Sequence, residues 1–122
     1  MIHLLKIRNF KGFARRENTL EMAPITVLLG ANSSGKSTVL QSLLALAQTV
    51  EDPASLDHFV TRGARVDLGR FGHLLHKHKA DGIELAIEYE PRRKKTRMRA
   101  VFRWSRGEQD DATPLTNGSF EA

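Results

Sequence analysis

The spacing of apolar residues changes along this chain, and each change marks an element. Ile2 to Arg8 and Thr19 to Leu29 carry short runs of Ile, Leu and Val broken around Gly12 and Pro24. This pattern predicts two or three strands joined by turns before residue 30. The second run closes on Ile25-Thr26-Val27-Leu28-Leu29, an apolar stretch of strand length, which predicts a strand buried on both faces as in a parallel α/β sheet. From Lys36 to about Val50, the residues Val39, Leu40, Leu43, Leu44, Leu46, Ala47 and Val50 recur at helical spacing, with no Gly or Pro and with Pro53 just beyond. That segment reads as a helix. Glu51 to Ala80 holds Pro53, Gly63, Gly69 and Gly72 among short apolar pieces, which predicts helical turns and irregular loops. After Gly82 the pattern becomes strict alternation: Ile83, Leu85, Ile87 and Tyr89 share one face, and Met98, Ala100, Phe102 and Trp104 share one face of a second run. This alternation predicts two strands joined around Pro91 to Thr96.

Composition places these elements in a globular chain. With 122 residues, 40% hydrophobic and 27% charged, the chain has the size of one domain and is far from disordered or fibrous compositions. The absence of cysteine excludes disulfides, thiolate chemistry and Cys-based zinc sites, and suits a reducing cytoplasm. No apolar run approaches the roughly 18 residues of a membrane span. The opening Met1-Ile2-His3-Leu4-Leu5-Lys6 lacks the layout of a secretory leader. A cytoplasmic protein without a membrane partner is expected. The net charge of +5 invites a nucleic-acid reading until it is divided along the chain. Residues 1–50 carry +4, 51–90 carry −3, 91–106 carry +8 and 107–122 carry −4.

The segment that carries chemistry is Gly30-Ala31-Asn32-Ser33-Ser34-Gly35-Lys36-Ser37, which satisfies the phosphate-binding P-loop pattern, or Walker A. Gly30 lets the chain turn out of the strand, and Gly35 admits torsions and a closeness to phosphate that a Cβ would obstruct. Successive backbone N–H groups and the start of the following helix then form a nest for a triphosphate. In this reading Lys36 reaches the β- and γ-phosphates, the Ser37 hydroxyl ligates Mg²⁺, and Thr38 donates to an α-phosphate oxygen. The motif follows a strand-like run and opens an amphipathic helix, the context that makes such a match meaningful.

Together with Leu5-Lys6-Ile7-Arg8-Asn9-Phe10-Lys11-Gly12-Phe13 and Leu40-Gln41-Ser42-Leu43-Leu44, the motif resembles the N-terminal part of the RecF/SMC/OLD-type ABC ATPases. The resemblance is greatest to the bacterial AAA-type ATPases of that group, often encoded in anti-phage defence loci. Val66 to Leu75 also resembles the segment after the first helix in those proteins, so the similarity spans residues 1 to about 104. It implies an α/β fold, the N-terminal lobe of a P-loop NTPase of the ABC-ATPase type, with strands flanking the Walker A loop and helix and an antiparallel hairpin after them. By the same resemblance Arg8, Asn9, Phe10 and Lys11 lie beside the nucleotide; a plain strand end with an apolar anchor is the alternative. Ser33 stands where many relatives have Gly.

In that family hydrolysis also needs a Walker B strand ending in Asp-Glu and a signature motif, both supplied by the C-terminal half, and the site closes across two heads. Thr49-Val50-Glu51-Asp52 imitates the first only as acids at a helix end, and Leu115-Thr116-Asn117-Gly118-Ser119 imitates the second only faintly. Residues 1–106 therefore read as an N-terminal lobe, and 107–122 as a flexible acidic tail or the truncated start of a missing C-terminal lobe. The expected ligands are ATP and Mg²⁺. The expected partner is a second ATPase head or a C-terminal half in trans, with DNA possible through the family. The competing function is a nucleotide-binding or interaction module without turnover.

Two further clusters invite chemistry. His73, His76, His78 and Asp81 have metal-ligand chemistry, but spacings of three and two do not place the histidines on one face, so solvated loop histidines are expected. A stand-in role for His76 or His78 as the γ-phosphate-sensing residue that the family carries near here is the alternative. Pro91-Arg92-Arg93-Lys94-Lys95-Thr96-Arg97-Met98-Arg99 has the look of a nucleic-acid patch. The strand reading, however, sets Glu84, Glu88 and Glu90 against Arg97, Arg99 and Arg103. That leaves Arg92 to Lys95 as the exposed remainder. Trp104 is expected in the core.

Overall fold

A computed structural model describes residues 1–14, 16, 18–31, 35–52, 59–78 and 82–105. They form a four-stranded antiparallel sheet in the order β2-β1-β3-β4, from β1 (Ile2–Arg8), β2 (Asn18–Glu21), β3 (Gly82–Tyr89) and β4 (Met98–Ser105). Between β2 and β3 the chain forms the helix α1 (Lys36–Glu51), a single helical turn α2 (Phe71–Leu74) and a 3₁₀ turn at His76–His78.

The hairpin has the alternation read from sequence. Ile83 pairs with Trp104, Leu85 with Phe102, Ile87 with Ala100 and Tyr89 with Met98, so the period-two apolar sets meet on one face. On the other face Glu84 stands opposite Arg103 and Glu88 opposite Arg99, and the Arg103 Nε donates to Glu84 Oε2 at 2.7 Å. The apolar face joins Leu5 and Ile7 of β1 and packs against Val39, Ala45 and Leu46 of α1. Phe59 lies at its centre, with its ring 6.5, 6.3 and 4.6 Å from those of Phe10, Phe71 and Trp104. Trp104 is thus a core residue, 3% exposed.

The C-terminal half of α1 is anchored by polar side chains that are fully occupied. Gln48 Nε2 donates to the carbonyls of Val60 and Val66 at 2.7 and 3.1 Å, while its Oε1 accepts from Val66 N–H. Thr49 Oγ1 donates to Ala45 O and accepts from Val60 N–H. Arg65 grips Glu51 at the helix end through two hydrogen bonds of 2.9 and 2.6 Å. Thus the acid at 51, the nearest imitation of a Walker B residue, is engaged in a surface ion pair.

Two expectations are corrected. Ile25 to Leu29 forms no strand: Ile25 lies in a bend and the following residues join no ladder. Ile25, Val27 and Leu29 are 84, 72 and 88% exposed, and only Leu28 leans on the core. The described sheet is also antiparallel throughout, so no parallel ladder flanks this run. An apolar strand is buried on both faces only where neighbouring strands and covering layers exist, and among the described residues none lies alongside it. Helix α1 is likewise covered on one side only. It buries Val39, Ser42, Ala45, Leu46, Gln48 and Thr49, while Leu40, Leu44 and Val50 face outward. The sequence pattern located the helix but not the side that packs.

Candidate functional site

The P-loop residues that the structure describes are Gly30, Ala31, Gly35, Lys36, Ser37 and Thr38; Asn32, Ser33 and Ser34 lie outside the described residues. Gly35 precedes α1 with φ 98° and ψ 2°, a left-handed conformation in which a Cβ is strained. It caps the helix without a side chain, and the first intrahelical bond runs from Val39 N–H to Gly35 O at 3.0 Å. The amides of Lys36, Ser37 and Thr38 therefore have no intrahelical acceptor, and no acidic residue occupies the first turn. Free amides at the positive end of a 16-residue helix are suited to anionic oxygens. Ser37 is exposed beside them, with its hydroxyl open to a ligand. The Lys36 Nζ is folded onto the loop itself, donating to Gly30 O and to Ala31 O.

A second segment abuts this loop. After β1 the chain turns through two left-handed non-glycine residues, Asn9 (φ 57°) and Lys11 (φ 50°). Their conformations are held by long-range bonds. Asn9 N–H donates to Ala14 O and Asn9 O accepts from His76 N–H, while Lys11 N–H donates to Leu74 O at 2.6 Å. The Lys11 carbonyl accepts from His76 Nδ1 at 2.8 Å. The turn brings Phe13 against Gly35, with its ring 3.4 Å from the point where a Cβ would sit.

Of the flanking residues named from sequence, Lys11 directs its ammonium to Gln41 Oε1 at 2.6 Å, and burial lowers its pKa. Gln41 lies one helical turn after Ser37, on the same side of α1. Asn9 lines a cleft of about 280 Å³ with Glu84, Arg103 and Trp104 at the end of the sheet. The structure thus brings Phe13 and Gln41, named from sequence only within the segments that carry the resemblance and given no role there, to the loop–helix junction. Among the histidines, His76 is tied to Lys11, and Asp81 lies outside the described residues, as do Arg106 and the tail with its Leu115–Ser119 segment.

Comparison with known proteins gives this arrangement its context. The AAA ATPase domain family matches residues 1–114. The DNA replication and repair protein RecF of Salinibacter ruber is 36% identical over 63 residues, which are 51% of this chain and 15% of that protein. A solved structure from a study of ATP-driven dimerization and DNA-stimulated activation of SMC ATPases superimposes with a TM-score of 0.60 at 21% identity, covering 98% of this chain and 68% of that one. The chain therefore shares its fold with that structure, and the matched segment spans only part of the RecF relative. Among the described residues no helix is long and apolar enough to cross a membrane. With the match extending over nearly the whole sequence, the chain belongs to the AAA ATPase domain family.

Proposed function

We propose that this chain binds ATP with Mg²⁺ through Gly30 to Thr38, as the Walker A lobe of an ATPase related to RecF, SMC and OLD proteins. Hydrolysis requires a Walker B acid pair and a signature from a C-terminal half or a second head. The observation that carries the reading is the junction at Gly35: a left-handed glycine, three unengaged amides, an exposed Ser37 and Lys36 within one loop-to-helix turn. ATP would displace the carbonyls of Gly30 and Ala31 from Lys36, exchanging weak neutral acceptors for charged phosphate oxygens. Lys11, bonded to Gln41 one turn after Ser37, supports a supplementary role for the Asn9–Lys11 turn beside this loop.

Completion in trans is supported by the surfaces left open. The unpaired run Ile25 to Leu29 and the outward Leu40, Leu44 and Val50 form apolar surface of the kind that marks an interface. The same surface also supports the second reading, an interaction module without turnover. Titration of the chain with a fluorescent Mg·ATP analogue tests the first step: Lys36→Ala should abolish binding, and unchanged affinity would overturn the nucleotide assignment. Turnover measured with and without the complementing half separates the two readings, because only the ATPase reading has hydrolysis restored by it.

A further inference from the structure

We propose that residues 106–122 fold back along β4 and close an apolar groove beside α1, with Leu115 at its mouth and Phe120 inside it. The groove, of about 380 Å³, opens between the C-terminal half of α1 and the hairpin end of the sheet. Leu43, Ala47 and Val50 form one wall, and Ile2, Tyr89 and Phe102 the other. Its size falls in the range of roughly 300–1,000 Å³ typical of sites that take a bound group, and no charged side chain lines it. Val50 is 62% exposed, and Tyr89 and Phe102 are half-buried, so the apolar walls stand open among the described residues.

Reach selects this occupant first. Ser105 ends β4 opposite Gly82, and β4 is the outer strand of the described sheet, so a returning segment has its flank to run along. Gly107 supplies the residue at which the chain can reverse tightly. A return that turns at Arg106-Gly107 brings Asp110 level with Arg103 and Leu115 level with Met98, beside the mouth of the groove. Phe120 follows five residues later, a span of up to about 17 Å. That span, with Gly118 as a second turn, carries it past the Tyr89–Met98 rung and in between the walls.

Charge selects it a second time. The flank and tip of the hairpin expose Arg92, Arg93, Lys94, Lys95, Arg97 and Arg99, while the neighbouring acid Glu90 is turned toward β1, 3.4 Å from His3 Nε2. Glu108, Asp110, Asp111 and Glu121 give residues 107–122 a charge of −4 against +8 for 91–106. The segment thus combines the two chemistries that the surface presents together, acids for the hairpin and two large apolar side chains for the groove. Because it is joined to β4, its effective concentration is on the order of mM, so a few such contacts hold it in place.

The test is ¹⁵N NMR of the full chain with a nitroxide on Ser119→Cys, which is labelled uniquely because the chain has no cysteine of its own. The amide signals of Ala47, Ile87 and Tyr89 should broaden strongly, whereas those of Asn9, Leu75 and Glu84, at the far end of the sheet, should not. L115S/F120S in the labelled chain should abolish the broadening, and D110N/D111N or about 0.5 M salt should reduce it. Should L115S/F120S melt, Val50→Asp on the exposed rim should give the same loss in a folded chain. Groove signals untouched by the label, or broadened equally in the folded apolar variants, would overturn the proposal. Equal broadening in nitroxide-free ¹⁵N chains mixed with labelled, unenriched chains would overturn it in favour of a second copy as the occupant. None of these outcomes depends on whether the chain binds ATP.

Discussion

The ring of Phe13 rests against Gly35, 3.4 Å from where a β-carbon on that glycine would lie. Gly35 is thus constrained by its φ of 98°, while the Phe13 ring would meet a β-carbon there at ordinary contact distance. The contact ties the turn after β1 to the residue that precedes α1.

Gly35→Ala should therefore cost about 1–2 kcal/mol of backbone strain. Thermal unfolding should show a lowered Tm, and Mg·ATP-analogue binding should weaken as the helix start shifts. Adding Phe13→Ala should not recover it, because the cost lies in the torsion and not in the ring contact. An unchanged Tm for Gly35→Ala would contradict the left-handed geometry.

Gln48 is the polar anchor of the segment after α1. Gln48→Ala leaves Val60 O and Val66 N–H without the partners they have in the folded chain. At part-buried positions this should destabilise by about 1–3 kcal/mol, and denaturant unfolding measures it. Gly63→Ala should act on the same contact, because its Cβ would lie 2.6 Å from Gln48 Oε1.

Ile25, Val27 and Leu29 give the opposite expectation. Since they are exposed, the triple change to threonine should alter the stability of the isolated chain by no more than about ±0.5 kcal/mol per site. If the run is the seam for a complementing half, the same variant should lose association with that half in a pull-down of the two purified pieces. A large loss of stability in the isolated chain would show instead that the run packs within this lobe.

Glu51 carries a pH signature. Hydrogen bonds and charge from Arg65 hold its carboxyl below the usual glutamate range. A carboxylate whose pKa is depressed on folding contributes stability that is present above its unfolded pKa and lost as pH falls through the folded value. The pair is fully exposed, so its direct readout is the carboxyl titration itself: by NMR the Glu51 midpoint should lie lower in wild type than in Arg65→Ala. The reverse order would refute the pairing.

The hairpin and the phosphate loop were legible because their signals are local. Alternation at period two carries face and approximate register with it, which is why Ile83 to Tyr89 and Met98 to Trp104 met as read and Glu84 found Arg103. The P-loop is a run of backbone requirements within eight residues, so its position needs no tertiary information. The relationships that were not legible join residues far apart in the chain: Phe13 with Gly35, Lys11 with His76, and Gln48 with Val60 and Val66. The left-handed turn at Asn9 and Lys11 is likewise tied across the chain, by bonds to Leu74 and His76.

Apolar patterning by itself located β1, α1, β3 and β4 but misplaced a strand at Ile25 to Leu29, and the glycines and lysine of residues 30–37 marked the candidate phosphate site. Only the tertiary structure decided which apolar residues are covered. Hydrophobicity sets a residue's preference for burial, whereas burial itself requires a neighbour, so Val39 and Leu46 enter the core while Leu40, Val27 and Leu29 do not. The basic balance was resolved in the same way: the sheet register matches the strand arginines with glutamates, and the turn beyond the last rung leaves five cations unmatched.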